Sequence, residues 1–174
     1  MLWALAGAAP AVESLAAREQ FRLCMSETDE AASVQACHKA LELGLGRQRA
    51  ALVQEVLALR LGTLDRWQEA VQALRELVRL RPEDAEAHVR LGSALLHGLD
   101  QPAEAVGPLG HACFLAPDDA RIHGELAFAL SRLEQHAEAL AEFEQALRLD
   151  PRYFDERPAS RQAYDASGLG KRWP

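Results

Sequence analysis

The apolar residues between positions 67 and 82 recur at the spacing of one helix face. They are Trp67, Ala70, Val71, Leu74, Leu77, Val78 and Leu80. Pro82 ends the pattern, because proline has no backbone N–H with which to continue a helix. The same pattern returns ahead of Pro117 and Pro151. The three prolines are 35 and 34 residues apart. A fixed period of this length predicts a stack of helical repeats.

Each repeat also contains an earlier apolar segment, which predicts a first helix ahead of the one that ends at the proline. Its leucines recur as Leu57, Leu91 and Leu126, and again as Leu61, Leu95 and Leu130. A small residue follows the first leucine of each set, namely Ala58, Gly92 or Ala127. Small residues allow two helices to cross closely. The middle repeat is one residue longer, and we place the extra residue in the turn Gly98–Gln101, where an insertion costs little.

These features resemble the tetratricopeptide repeat. The resemblance rests on Leu91-Gly92 in a first helix, on Ala139, Phe143 and Ala146 in a second helix, and on the periodic prolines. It covers about residues 14–153 and implies an all-α fold, a right-handed α-solenoid of antiparallel helix pairs whose first helices line a concave groove. The sequence departs from the family pattern early in the first helices, where Gln54, His88 and His123 replace a large aromatic residue.

The pattern divides the chain into a leader, four repeats and a cap. The leader is residues 1–12, a degenerate repeat follows over 13–50, three regular repeats cover 51–84, 85–119 and 120–153, and a capping helix with a tail covers 154–174. Pro158 is expected to begin the capping helix and Gly168 to end it. Tyr164 and Phe154 are expected to cover the last repeat, since an uncapped repeat would expose an apolar face. Trp173 in the tail is expected to pack against the array.

The charge balance and the leader bear on partners and location. A net charge of −7 argues against nucleic-acid binding, which draws on clustered positive charge. The apolar segment Leu2–Val12 is too short to span a membrane, but it is typical of a secretory signal with Ala9-Pro10-Ala11 as a processing site. No basic residues precede it, so the alternative is an apolar helix end in a cytoplasmic protein. We expect an exported, periplasmic protein.

Two of the three cysteines lie in the degenerate repeat. Cys24 and Cys37 flank a short acidic turn, an arrangement that resembles the opening repeat of many exported bacterial tetratricopeptide proteins and implies a disulfide between them. Closing so short a loop would contribute about 3 kcal/mol to stability. The alternative is a pair of buried thiols in a reducing cytosol. Cys113 shares its repeat position with Val78 and Leu147 and is predicted to lie in the core.

Other candidates for chemistry have structural explanations. His88 and His123 occupy equivalent positions in adjacent repeats, and the i, i+4 spacing of a helical zinc site is missing, so we attribute both to packing. The acidic pairs Glu83-Asp84 and Asp118-Asp119 follow prolines and are expected to cap new helices. The sequence contains no glycine-rich phosphate loop. We therefore predict no catalytic residue, no metal site and no cofactor.

The resemblance places a partner-binding groove on the first helices. The groove-facing residues are expected to be Glu55, Leu59, Thr63, Val89, Ser93, His97, Gly124, Phe128 and Arg132. Tetratricopeptide domains that clamp a C-terminal carboxylate use Asn and Lys, and this chain has no Asn. An amphipathic helix or an extended apolar segment therefore fits better. The alternatives are a solvated inner face, or a groove filled by the chain's own terminal segments.

The predicted function is that of a non-catalytic adaptor. It would hold a peptide or a protein segment in the groove and support the assembly of an envelope complex, without a membrane span of its own. One alternative is a structural protein that self-associates through its repeats into a homo-oligomer. The other is a cytosolic regulatory subunit of a separate enzyme, which free thiols at Cys24 and Cys37 would favour.

Overall fold

The computed structural model describes residues 13–155 and 157–166. Within these residues every regular secondary-structure element is a helix, which confirms the predicted all-α class. The leader, Gly168 and Trp173 lie outside the described residues. The helices are α1 (Leu15–Ser26), α2 (Glu30–Glu42), α3 (Arg47–Thr63), α4 (Trp67–Leu80), α5 (Ala85–Ser93) followed by a π-helical turn (Ala94–Gly98), α6 (Pro102–Leu115), α7 (Ala120–Arg132), α8 (His136–Leu149) and α9 (Pro158–Ala166).

Consecutive helices pack in pairs, and each pair stacks on the next. The pairs are α1 with α2, α3 with α4, α5 with α6, and α7 with α8, as expected for an α-solenoid. Close packing depends on the small residues that follow the repeated leucines. A Cβ atom on Gly92 would lie 2.5 Å from Cγ of Leu109, so only glycine allows α5 and α6 to approach this closely. No helix among the described residues is long and apolar enough to cross a membrane.

The turns repeat as regularly as the helices. Asp65, Asp100 and Glu134 follow the first helices and have φ of 59°, 55° and 60°, which reverses the chain into each second helix. At the start of α5, Oδ1 of Asp84 accepts a hydrogen bond from the backbone N–H of Glu86 at 3.1 Å. Asp119 caps α7 in the same way. The capping role predicted for the acidic pairs is thus confirmed at Asp84 and Asp119.

The position predicted from the sequence for the extra residue of the middle repeat was wrong. It lies in the π-helical turn Ala94–Gly98 and not in the turn that follows. There the backbone N–H of Leu99 donates to the carbonyl oxygen of Ala94 at 3.1 Å. An i→i+5 bond accommodates one additional residue without unpairing the helix, and such π-turns often occur at functional sites.

The C-terminal end of the array is covered by the chain itself. Helix α9 begins at Pro158, where the sequence predicted a helix start. Tyr153 and Tyr164 are 1% and 2% exposed and share a core with Phe143 of α8. Phe154 packs against the same core, as predicted. The last repeat therefore has an aromatic cap.

A disulfide joins α1 to α2 at the other end. Cys24 and Cys37 are bonded with their Cα atoms 4.7 Å apart, and both are fully buried. Beside them the Ser33 hydroxyl donates to the carbonyl oxygen of Cys24 at 2.9 Å. The pairing implied by the resemblance is therefore present in the structure. It fixes the repeat whose sequence pattern is weakest.

Candidate functional site

A hollow of about 280 Å³ lies between α3, α4 and α5. Its floor is apolar, and Leu59 of α3 stands at its edge with 59% of its surface exposed. The lining residues are Glu55, Ala58, Leu59, Trp67, Ala70, Leu74, Arg90, Ser93, Ala94 and His97. Helices α3 and α5 are the first helices of adjacent repeats, so the hollow opens on the surface where the resemblance places a groove. We call it the groove hollow.

Trp67 forms one wall of the groove hollow and is held in place from several sides. Its indole N–H donates to Oδ1 of Asp65 at 2.8 Å. The ring also lies against two glycines. A Cβ atom on Gly98 would lie 2.4 Å from Cδ2 of Trp67, and one on Gly62 would lie 3.2 Å from Cζ3. Because both neighbours lack side chains, the ring fits closely between them, and the wall is rigid.

Charges at one side of the groove hollow are paired. Glu55 accepts from Arg81 at 3.3 Å and from Arg90 at 3.3 Å. Arg90 also contacts Glu86 at 3.2 Å. These partly exposed pairs add little to stability, but they place both signs of charge beside an apolar floor.

His97 lies on the opposite side and contacts α7. Its Nε2 is 2.8 Å from Oε2 of Glu125, which also accepts from the Ser93 hydroxyl at 3.4 Å. The His97 ring stacks on Phe128 with the centroids 5.6 Å apart. The hydrogen bond to Glu125 raises the pKa of His97, against the opposing effect of burial. This contact therefore favours the protonated form of His97.

The structure brings together four of the residues predicted for the groove, namely Glu55, Leu59, Ser93 and His97. The others lie outside the groove hollow. Thr63 is exposed, and its hydroxyl donates to the Arg60 carbonyl at 2.7 Å. Arg132 is exposed and pairs with Asp100 at 2.7 Å. Phe128 is half-buried behind His97.

Two predicted groove positions are buried and are corrected here. Val89 is 2% exposed because Ala112 of α6 and Ile122 of α7 cover its side of α5. Gly124 is buried because Tyr153 occupies the space in front of it. In both cases a neighbouring helix or the C-terminal segment covers a helix face that would be exposed if the helix stood alone.

Sequence reasoning also missed residues that line the groove hollow. Trp67, Ala70 and Leu74 come from the second helix α4, which was interpreted only as core. No local signal was available, because Gly98, which leaves room for the Trp67 ring, belongs to the next repeat.

A second cluster of polar side chains lies where α6, α7 and α8 meet. One donor atom each from Cys113, His123 and Glu142 lies within 4.8 Å of the other two. Nδ1 of His123 is 2.6 Å from Oε2 of Glu142, and Nε2 is 2.9 Å from the carbonyl oxygen of Pro117. Burial, with smaller effects from Glu142 and Asp119, raises the pKa of the Cys113 thiol to about 12.

Comparisons with known proteins agree with the helical array. The tetratricopeptide repeat family profile matches residues 120–153, and no curated protein sequence matches the chain. The fold is similar to a crystal structure of MamA protein, with 19% identity, a TM-score of 0.74, and coverage of 90% of this chain and 85% of that one. It is similar to YrrB, described as a TPR protein with an unusual peptide-binding site, with 22% identity, a TM-score of 0.70, and coverage of 87% and 76%. It is also similar to the TPR2B domain of yeast Sti1 in a complex with pHsp70, with 24% identity, a TM-score of 0.60, and coverage of 69% and 97%.

Proposed function

We propose that this array of helix pairs, whose last repeat matches the tetratricopeptide family, is a non-catalytic scaffold that binds an apolar segment of a partner protein in the groove hollow. The observation that carries this proposal is the position of Leu59. It is 59% exposed at the edge of an apolar hollow whose far wall is Trp67. Large apolar side chains exposed beside an apolar concavity are typical of binding sites.

The size of the groove hollow favours side chains of a peptide over a small molecule. Its volume of about 280 Å³ is at the lower end of the roughly 300–1,000 Å³ of pockets that enclose a drug-sized ligand, and it is open to the surface along α3 and α5. One or two apolar side chains of an extended or helical segment would fill it. The paired charges at Glu55 and Arg90 on one side, and at His97 and Glu125 on the other, can hydrogen-bond to the polar groups of that segment.

The C-terminal cap limits how much of the concave surface a partner can use. Tyr153 lies in front of Gly124, so the third regular repeat offers no open surface at that position. The bound segment would therefore lie over α3 and α5. The peptide-binding site in the name of YrrB and the pHsp70 complex of the Sti1 domain support this mode of action for the fold.

The test begins with peptides selected from a random displayed library against the full chain. A labelled copy of each is titrated into wild type and into Leu59→Asp. We expect the affinity to fall at least about tenfold, since burial of a leucine side chain is worth about 1.5–3 kcal/mol. Phe114→Asp is the matched control, because Phe114 is 79% exposed on α6 and does not line the groove hollow.

Equal affinity of the selected peptides for wild type and folded Leu59→Asp would contradict the proposed site. So would a loss in Phe114→Asp as large as that in Leu59→Asp. Phe128→Asp is not suitable for this purpose, because Phe128 packs against both the main core and the C-terminal core.

We propose that the scaffold acts outside the cytoplasm, in the assembly of an envelope complex. The buried Cys24–Cys37 bond supports this location, since such bonds persist in oxidising compartments. The test is the intact mass of the native protein after alkylation, with and without reductant. Two thiols protected until reduction would agree with an oxidising compartment. Three thiols alkylated without reductant would instead favour the cytosolic regulatory subunit.

Self-association is the second candidate function. It is favoured by Phe114, a large aromatic residue that is 79% exposed on α6. Sedimentation of the purified chain over a range of concentrations tests it. A dimer that Phe114→Asp dissociates would support self-association, and a wild-type monomer at all concentrations would exclude it.

A further inference from the structure

His123 makes two hydrogen-bond contacts that fix the orientation of its ring. Nε2 lies 2.9 Å from the carbonyl oxygen of Pro117. That oxygen can only accept, so Nε2 carries a proton and donates it. Nδ1 then faces Oε2 of Glu142 at 2.6 Å. Nδ1 is therefore the ring atom that faces the carboxylate and is free to take a metal ion.

A third donor lies beside this pair. Sγ of Cys113 is within 4.8 Å of both the His123 nitrogen and the Glu142 oxygen. The three donors come from α6, α7 and α8, and His123 is 8% exposed. Among residues 13–155 and 157–166, this is the one group of three such donors close enough to share a metal ion.

We propose that Cys113, His123 and Glu142 form a binding site for Zn²⁺. Thiolate, imidazole and carboxylate are the ligands that zinc takes, in tetrahedral geometry with a water in the remaining position. Bond lengths of about 2.0–2.3 Å place donors about 3.5 Å apart around such an ion. The distance between Nδ1 and Oε2 would therefore increase by about 1 Å on zinc binding. The distance from Sγ to each of these atoms would decrease by up to about 1 Å. The thiol releases its proton to the buffer on binding.

The hydrogen bond to Pro117 prepares the ring for this role. A metal-binding histidine usually donates its other ring N–H to a carbonyl or a carboxylate, which fixes the tautomer and the ring orientation. Here that bond directs Nδ1 toward the other two donors. The site is separate from the groove hollow, so it does not depend on the proposed peptide binding.

The preceding repeat provides a natural comparison. His88 is the equivalent residue, and its Nε2 lies 2.9 Å from the carbonyl oxygen of Pro82. Its ring packs against His111 with the centroids 4.4 Å apart. The carbonyl bond is thus common to both repeats, whereas the thiol and the carboxylate accompany His123 alone.

The first experiment uses the wild-type full chain with its disulfide intact. Co²⁺ is added as a spectroscopic substitute for zinc, and we expect a near-ultraviolet charge-transfer band from cobalt bonded to sulfur, which Zn²⁺ then abolishes. Cys113 is the free thiol that remains once Cys24 and Cys37 are bonded. We therefore expect Zn²⁺ to slow its alkylation, measured by mass. This readout needs no variant.

The second experiment compares zinc affinities by competition with a chelator. The variants are Cys113→Val, His123→Gln and Glu142→Gln. Valine and glutamine are the residues that this chain has at the equivalent positions of an earlier repeat, Val78 and Gln54. Glu142→Gln keeps the shape of the side chain. Each variant should bind zinc at least about tenfold more weakly. A loss of about tenfold is already typical when a residue that only hydrogen-bonds to a metal ligand is changed. His88→Gln is the matched control and should bind as wild type does.

Two results would overturn the proposal. One is the absence of a sulfur-to-cobalt band together with alkylation of Cys113 that Zn²⁺ does not slow. His123 and Glu142 would then be a hydrogen-bonded pair that holds α7 against α8 and no metal ligands. The other is equal zinc affinity in Cys113→Val, His88→Gln and wild type, which would place any bound zinc elsewhere.

Discussion

The contact between Gly124 and Tyr153 leads to a sharp prediction about the C-terminal cap. A Cβ atom on Gly124 would lie 1.7 Å from the Tyr153 hydroxyl oxygen and 2.0 Å from Cζ. The tyrosine has little freedom to move. It is 1% exposed, its ring packs against Phe154 with the centroids 5.5 Å apart, and the Arg157 guanidinium lies 4.7 Å from its centroid. Gly124→Ala must therefore displace the ring or α7.

The size of the effect follows from two limiting cases. If the ring shifts but stays buried, the overpacking costs about 1–3 kcal/mol. If the ring leaves the core, an aromatic side chain loses about 150–250 Å² of buried surface, or about 4–6 kcal/mol at 25 cal/mol per Å². We expect Gly124→Ala to lower the free energy of unfolding by an amount between these limits.

A double-mutant cycle with Tyr153→Ala, followed by thermal and denaturant unfolding, isolates the contact. Tyr153→Ala alone should cost about 3–5 kcal/mol, as for other large aromatic residues in a core. In that background Gly124→Ala has no ring to meet, and should stabilise α7 by up to about 1 kcal/mol through helix propensity. The substitution thus changes sign between the two backgrounds. An equal cost in both would refute the clash as the cause.

Two further predictions concern α6 and His97. Gly110→Ala should raise the free energy of unfolding by about 0.5–1 kcal/mol, because Gly110 is helical and an added Cβ meets nothing within 4 Å; a lower melting temperature would contradict this. Because the pKa of His97 is raised in the folded chain, its pairing with Glu125 stabilises the fold when the pH is below the ordinary histidine pKa of 6.5. This stabilisation is lost as the pH rises through the raised pKa. Unfolding at about pH 6 and about pH 8.5 should show this loss in wild type and a smaller one in Glu125→Gln; equal losses would contradict it.

The helices could be predicted from the sequence because their signals are local. Apolar spacing, prolines and capping residues act within a few positions. The capping helix was expected to begin at Pro158, and α9 begins at that residue. The extra residue of the middle repeat was misplaced, because spacing alone cannot distinguish a π-turn from a longer loop.

The candidate site could be predicted only in part, for a different reason. Leu59 and His97 were found because the resemblance assigns the groove to one face of the first helices, and these two residues lie on that face. Val89 and Gly124 were misassigned because their burial depends on α7 and Tyr153, which meet them only after stacking. Likewise, Cys113 and His123 belong to different repeats, so no local spacing indicates that they meet.

Three consecutive residues of α7 connect these features. His123, Gly124 and Glu125 point about 100° apart, since a helix has about 3.6 residues per turn. His123 therefore faces Cys113 and Glu142, Gly124 faces Tyr153, and Glu125 faces His97 at the groove hollow. Each contact fixes α7 from a different side. The third regular repeat is thus held on three sides, and the Glu125 carboxylate contacts His97 where we propose that the partner binds.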